Sequence, residues 1–67
     1  MTTMFGLNRE PELSDETFEL LEGIYGSETF TKGEAVGMIE HELDTTFDEA
    51  LRRFEGLVKA DCIAQLR

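Results

Sequence analysis

Few residues in this chain are of a type to do chemistry, and they are not grouped. There is one histidine, His41, and one cysteine, Cys62. His41 stands between Glu40 and Glu42 in a helical pattern, where neighbours point ~100° apart, so the three side chains cannot close on one ion. Glu34, Asp44 or Asp48 would have to join it through space, and a solvated surface histidine is the simpler expectation. Cys62 opens a short apolar run with no histidine or acid placed to take its proton. It reads as a small buried apolar residue, not a nucleophile. Fifteen carboxylates invite general-acid chemistry, but a general acid needs a cleft that shifts its proton affinity, and none is foreseeable. No catalytic residue, metal, cofactor or small-molecule substrate is expected, and the chain does not read as an enzyme.

What remains is recognition by charge. Three of the six basic residues lie together in the stretch Phe47 to Lys59, and each has an acid four positions earlier. Asp48 precedes Arg52, Glu49 precedes Arg53 and Glu55 precedes Lys59. On an exposed helix each such pair contributes ~0.2–0.5 kcal/mol, so these bases are accounted for without a nucleic acid. At ~100° per residue Asp48, Arg52 and Lys59 form one outward stripe, with Arg53 toward the other side.

The whole chain is acidic: 67 residues carry fifteen Asp and Glu against six Lys and Arg, a formal net charge of −9. The acids are spread along the chain, which marks a solvated coat and not a disordered tail. Only Lys32 and Lys59 are lysines. Such a coat repels itself in dilute buffer and is screened when the Debye length falls to ~3 Å in 1 M salt. The pattern resembles proteins of archaea that hold molar salt in the cytoplasm. At 40% hydrophobic residues and a mean hydropathy of −0.28, the composition is that of a folded chain. Its length allows one small domain, which would bury only ~60% of its unfolded surface. A lone cysteine excludes an internal disulfide framework, and no apolar run reaches the ~18 residues of a membrane span. A cytoplasmic location is expected.

The elements that must position these residues are helical. Residues 1–12, with Gly6 and the only proline, Pro11, read as a flexible N-terminal arm ahead of a domain over 13–67. Ser14 is the expected cap of a first helix, with Asp15 and Glu16 in its first turn, Leu13 and Phe18 as a hydrophobic staple, and Phe18, Leu21, Ile24 and Tyr25 as its buried stripe. Gly26 ends it. Thr31 and Glu34 form a capping box opening a second helix with Ala35, Val36, Ile39 and Leu43 on its apolar face. Asp44-Thr45-Thr46 is a turn. Thr46 and Glu49 form a second capping box, opening a third helix whose core face is Phe47, Ala50, Leu51, Phe54, Leu57 and Val58. After a break at Ala60-Asp61, residues 62–66 read as a short strand whose expected mate is Thr29-Phe30.

This order resembles the winged helix-turn-helix superfamily, on the two capped helices flanking Asp44-Thr45-Thr46 and the exit Leu57-Val58-Lys59-Ala60-Asp61-Cys62-Ile63. With its acidity, the chain is similar to the short winged-helix proteins of haloarchaea. The resemblance implies a mainly α fold: three helices with a helix-turn-helix core and a minimal two-stranded β ribbon, the wing truncated for want of a second wing strand. The turn has no glycine of the kind common in the motif. The family places the N-terminal part of the second helix of the pair in the major groove. That implies Thr45 and Thr46 near the groove edge, Arg52, Arg53 and Lys59 as cationic contacts, and a DNA-binding transcriptional regulator as the function. Asp48 and Glu49, at the same helix end, would repel phosphate. The alternative is a protein-interaction or dimerisation module on the same scaffold, with Met4, Phe5 and Leu7 of the arm as partner-binding residues, in a homodimer or against another protein.

Overall fold

A computed structural model describes residues 2–12 and 14–66. Strand β1 (Met4–Leu7) leads to helix α1 (Glu16–Tyr25), strand β2 (Phe30–Thr31), helix α2 (Lys32–Glu42), helix α3 (Phe47–Lys59) and strand β3 (Ile63–Gln65). The fold is small and mostly helical, with one antiparallel sheet of three strands in the order β2-β1-β3.

The sheet differs from the expected ribbon of two strands. β3 does not pair with residues 29–30; both outer strands pair with β1, with Phe5 opposite Phe30 on one side and opposite Gln65 on the other. The segment read as a flexible arm thus contains the central strand of the sheet. The physical reason is twofold. A two-residue β2 offers too short a ladder for a stable pair, and a core this small gains from Phe5, which is 8% exposed and meets the Phe54 ring edge-on at 5.3 Å between centroids. Phe5 therefore lies in the core, Leu7 packs against it and Met4 is half-buried.

Each helix begins at a side chain that caps it. Asp15, not Ser14, caps α1: one carboxylate oxygen accepts from Thr17 and Phe18 N–H at 2.8 and 3.2 Å. A carboxylate there also complements the helix dipole, which a serine cannot. Leu13 of the expected staple lies outside the described residues. The buried positions of α1 are Thr17, Phe18 and Leu21, while Ile24 is exposed. Gly26 ends the helix at φ +59°. The Thr31–Glu34 capping box is complete.

Between α2 and α3, Leu43 closes the first helix and Asp44 takes φ +52°. Asp44 thus supplies the left-handed residue that glycine often supplies in such turns; aspartate tolerates the region better than most side chains. Asp61, at φ +63°, turns the chain from α3 into β3. Ala35, Val36 and Ile39 face Ala50, Phe54 and Leu57 across the core, with Phe18, Leu21, Phe30 and Ile63 closing it. One expected core residue stands outside. Phe47 is 56% exposed, because the first turn of α3 projects past the core that begins at Ala50.

Candidate functional site

The turn and the outer face of α3 bring together the residues singled out for DNA contact, and local hydrogen bonds occupy most of them. Thr46 Oγ1 accepts from Glu49 N–H at 3.2 Å and caps α3. Thr45 Oγ1 donates to Thr46 O at 3.3 Å. The second capping box is half formed. Glu49 does not return to the Thr46 N–H; its carboxylate instead reaches Arg52 Nη1 at 3.1 Å and Arg53 Nε at 3.3 Å.

The three basic residues are disposed differently from the expected spacing. Arg53 does pair with Glu49, four positions back, although the Nε contact is too bent for a hydrogen bond. Its guanidinium turns inward, donating from Nη1 to Thr17 Oγ1 at 3.2 Å and passing Glu16 at 4.0 Å. Arg52 chooses Glu49, three positions back, over Asp48. It is the more available of the two, with its side chain 77% exposed. Glu55 pairs with Lys32 Nζ at 3.6 Å and not with Lys59. Among the described residues Lys59 and Asp48 have no ion-pair partner.

Lys32 was not foreseen as part of this face. It is the first residue of α2, directly after the Thr31 cap, and the sequence signal is that position: a long side chain there reaches over the last turns of α3. Lys32 and Lys59, the only lysines in the chain, flank an open groove of about 440 Å³ floored by Phe5, Phe54 and Val58. Its floor residues are largely buried, so the groove offers little apolar area.

The opposite end of the face is acidic. Glu40, His41, Asp44 and Thr45 line a shallow depression beside the turn, and Asp48 follows in the first turn of α3. His41 Nε2 lies 3.8 Å from a Glu42 oxygen in open solvent. Among the described residues no group of three or more histidine, cysteine or acidic side chains is placed to hold a metal ion. Cys62 is a buried free thiol, 3.8 Å from Ala60 O. Beside this acidic rim stands Phe47, the most exposed large apolar side chain among the described residues. No helix of the described residues is long and apolar enough to cross a membrane.

The chain matches no protein-family model, no curated protein and no solved structure.

Proposed function

We propose that this chain is a winged-helix-like scaffold that binds another protein through the N-terminal end of α3, in place of DNA. The observation that carries this reading is Phe47. In the helix-turn-helix family the start of the second helix meets the nucleic acid. Here that end presents an exposed phenylalanine collared by Asp44 and Asp48. A phosphate backbone would meet carboxylates first, and non-specific affinity for DNA rests on cations that displace counterions. An exposed aromatic ring suits an apolar socket on a protein, where burying it is worth ~1.5–3 kcal/mol. The acidic collar selects a socket rimmed by lysine or arginine.

In the winged-helix plan β2 and β3 correspond to the strand before the second helix and to the first wing strand. β1 then lies beside β3 where the second wing strand lies in the family. The dispersed acids fit a cytoplasm of molar salt, in which apolar contact keeps its strength while phosphate contact is screened. The reading assigns no catalysis.

Two observations favour the regulator reading as a second possibility: the exposure of Arg52 and the lack of an ion-pair partner for Lys59 among the described residues. Selection from a random pool of duplex DNA decides between the two, at the lowest salt in which circular dichroism confirms folding. The protein-binding reading expects no enrichment and no retained duplex. Enrichment of a sequence, lost in the Arg52→Ala/Lys59→Ala double variant, would establish the regulator instead.

A further inference from the structure

The sheet has one edge that nothing in the sequence guards. At one side β2 is two residues long and runs straight into α2, whereas at the other β3 carries neither charge nor proline. Edge strands are ordinarily blunted by charge, proline, a bulge or a covering element. Leu66 N–H donates to Met4 O at 2.7 Å and Asn8 N–H donates to Cys62 O at 2.8 Å. By the alternation of an antiparallel ladder, Cys62, Ala64 and Leu66 turn their backbone groups toward β1, and those of Ile63 and Gln65 point outward.

The charge pattern singles out the same place. Residues 1–8 and 62–66 are free of charged side chains in a chain at −9, and β1 and β3 set these two runs side by side. On the sheet face turned from the helices, Leu66 is 49% exposed and Ala64 is exposed. Leu66 lies across Gly6 so closely that a Cβ there would come within 3.1 Å of Leu66 Cδ1. Two acidic copies can approach along this strip without opposing their carboxylates.

We propose that the outer edge of β3 pairs with the same edge of a second copy, antiparallel about a two-fold axis through Ala64. In that register Ile63 of each copy opposes Gln65 of the other, so all four outward-facing residues exchange backbone hydrogen bonds. The two Ala64 residues meet on the axis as a non-hydrogen-bonded pair, with Cα atoms about 4.5 Å apart. A permanent interface takes about 800 Å² from each partner, close to a fifth of the 4495 Å² surface of this chain. A three-residue edge with its flanking Leu66 and Met4 supplies less, so the dimer is weak, concentration-dependent and promoted by salt. It forms at the far end of α3 from Phe47 and does not rest on the protein-binding reading.

Sedimentation equilibrium in molar salt tests the pairing, with circular dichroism confirming that each variant is folded. The expected result is a monomer–dimer equilibrium weakened at least about fivefold by Ala64→Lys and by Ala64→Glu alike, since each sets two like charges opposite one another. Ala64→Cys provides a positive test, because the paired Cα spacing lies within the about 4.4–6.8 Å that a disulfide spans. It should oxidise to a covalent dimer much faster than Asp48→Cys, at an exposed position far from the edge. A monomer at every concentration would overturn the proposal. So would Lys strengthening association while Glu weakens it, which is the signature of net charge alone, or equal oxidation rates for the two cysteine variants.

Discussion

Arg53 Nη1 donates to Thr17 Oγ1 at 3.2 Å, joining α3 to α1 across 36 positions of sequence. Thr17 is 1% exposed, and its buried position on α1 is explained by this partner. An arginine whose spacing places it beside a DNA contact therefore works as a tie between helices. Arg53→Ala should cost ~1–3 kcal/mol, the range for leaving a buried polar group without its partner. Arg52→Ala, which breaks only an exposed ion pair, should cost less than about 1 kcal/mol. Urea unfolding of the two variants side by side measures the difference; equal, small losses would place Arg53 on the surface.

The second prediction separates a strand from an arm. Phe5→Ala removes the ring that meets Phe54 in the core and should cost ~3–5 kcal/mol. A chain of this length has about 3–10 kcal/mol of stability in all, at ~0.05–0.15 kcal/mol per residue. The variant should be largely unfolded in circular dichroism at the salt concentration where the parent is folded. A loss below about 1 kcal/mol is what a frayed terminal residue would give.

Salt should stabilise the fold. Fifteen acids against six bases, with few of the acids in ion pairs, leave a self-repulsion that counterions screen. The midpoint of thermal unfolding is expected to rise from dilute buffer to molar salt. Full folding with an unchanged midpoint across that range would contradict the halophilic reading.

Alkaline pH should destabilise the fold through Tyr25. Its ring stacks on Phe30 at 4.6 Å, and burial, aided by the nearby Glu34 carboxylate, raises its hydroxyl above the usual tyrosine value. The unfolded chain loses this proton near pH ~10 and the folded chain only at higher pH. The stabilisation is therefore complete below pH ~10 and is lost as pH rises through the folded value. Unfolding midpoints of the parent and Tyr25→Phe, followed from neutral to alkaline pH, should diverge only above pH ~10, with the parent falling faster.

Local signals carried most of the helical plan. Thr31 with Glu34, Thr46 ahead of Glu49 and Gly26 mark helix ends through bonds made within a few residues, and such bonds are readable from spacing. The misses involve choices made through space. Met4–Leu7 has no period long enough to identify a strand, and its place between β2 and β3 depends on the partners the fold brings to it. Phe47 fits the spacing of the core face of α3, yet spacing does not reveal that the core begins one turn later. Arg53 and Glu55 each had a correctly spaced partner on their own helix; Glu55 took Lys32 from α2 instead, and Arg53 added Thr17 from α1. The site was legible as a helix face and not as an electrostatic surface, because the charges are apportioned by tertiary contacts.

The most direct test of the account is photo-crosslinking from position 47 in the living cell, with a photoreactive phenylalanine analogue replacing Phe47, so that protein and nucleic acid compete for the same ring. The account predicts a discrete polypeptide adduct, absent when the analogue stands at the exposed Asp48, whose target peptide carries lysine or arginine beside apolar residues. An adduct removed by nuclease, or none above the Asp48 control, would contradict it.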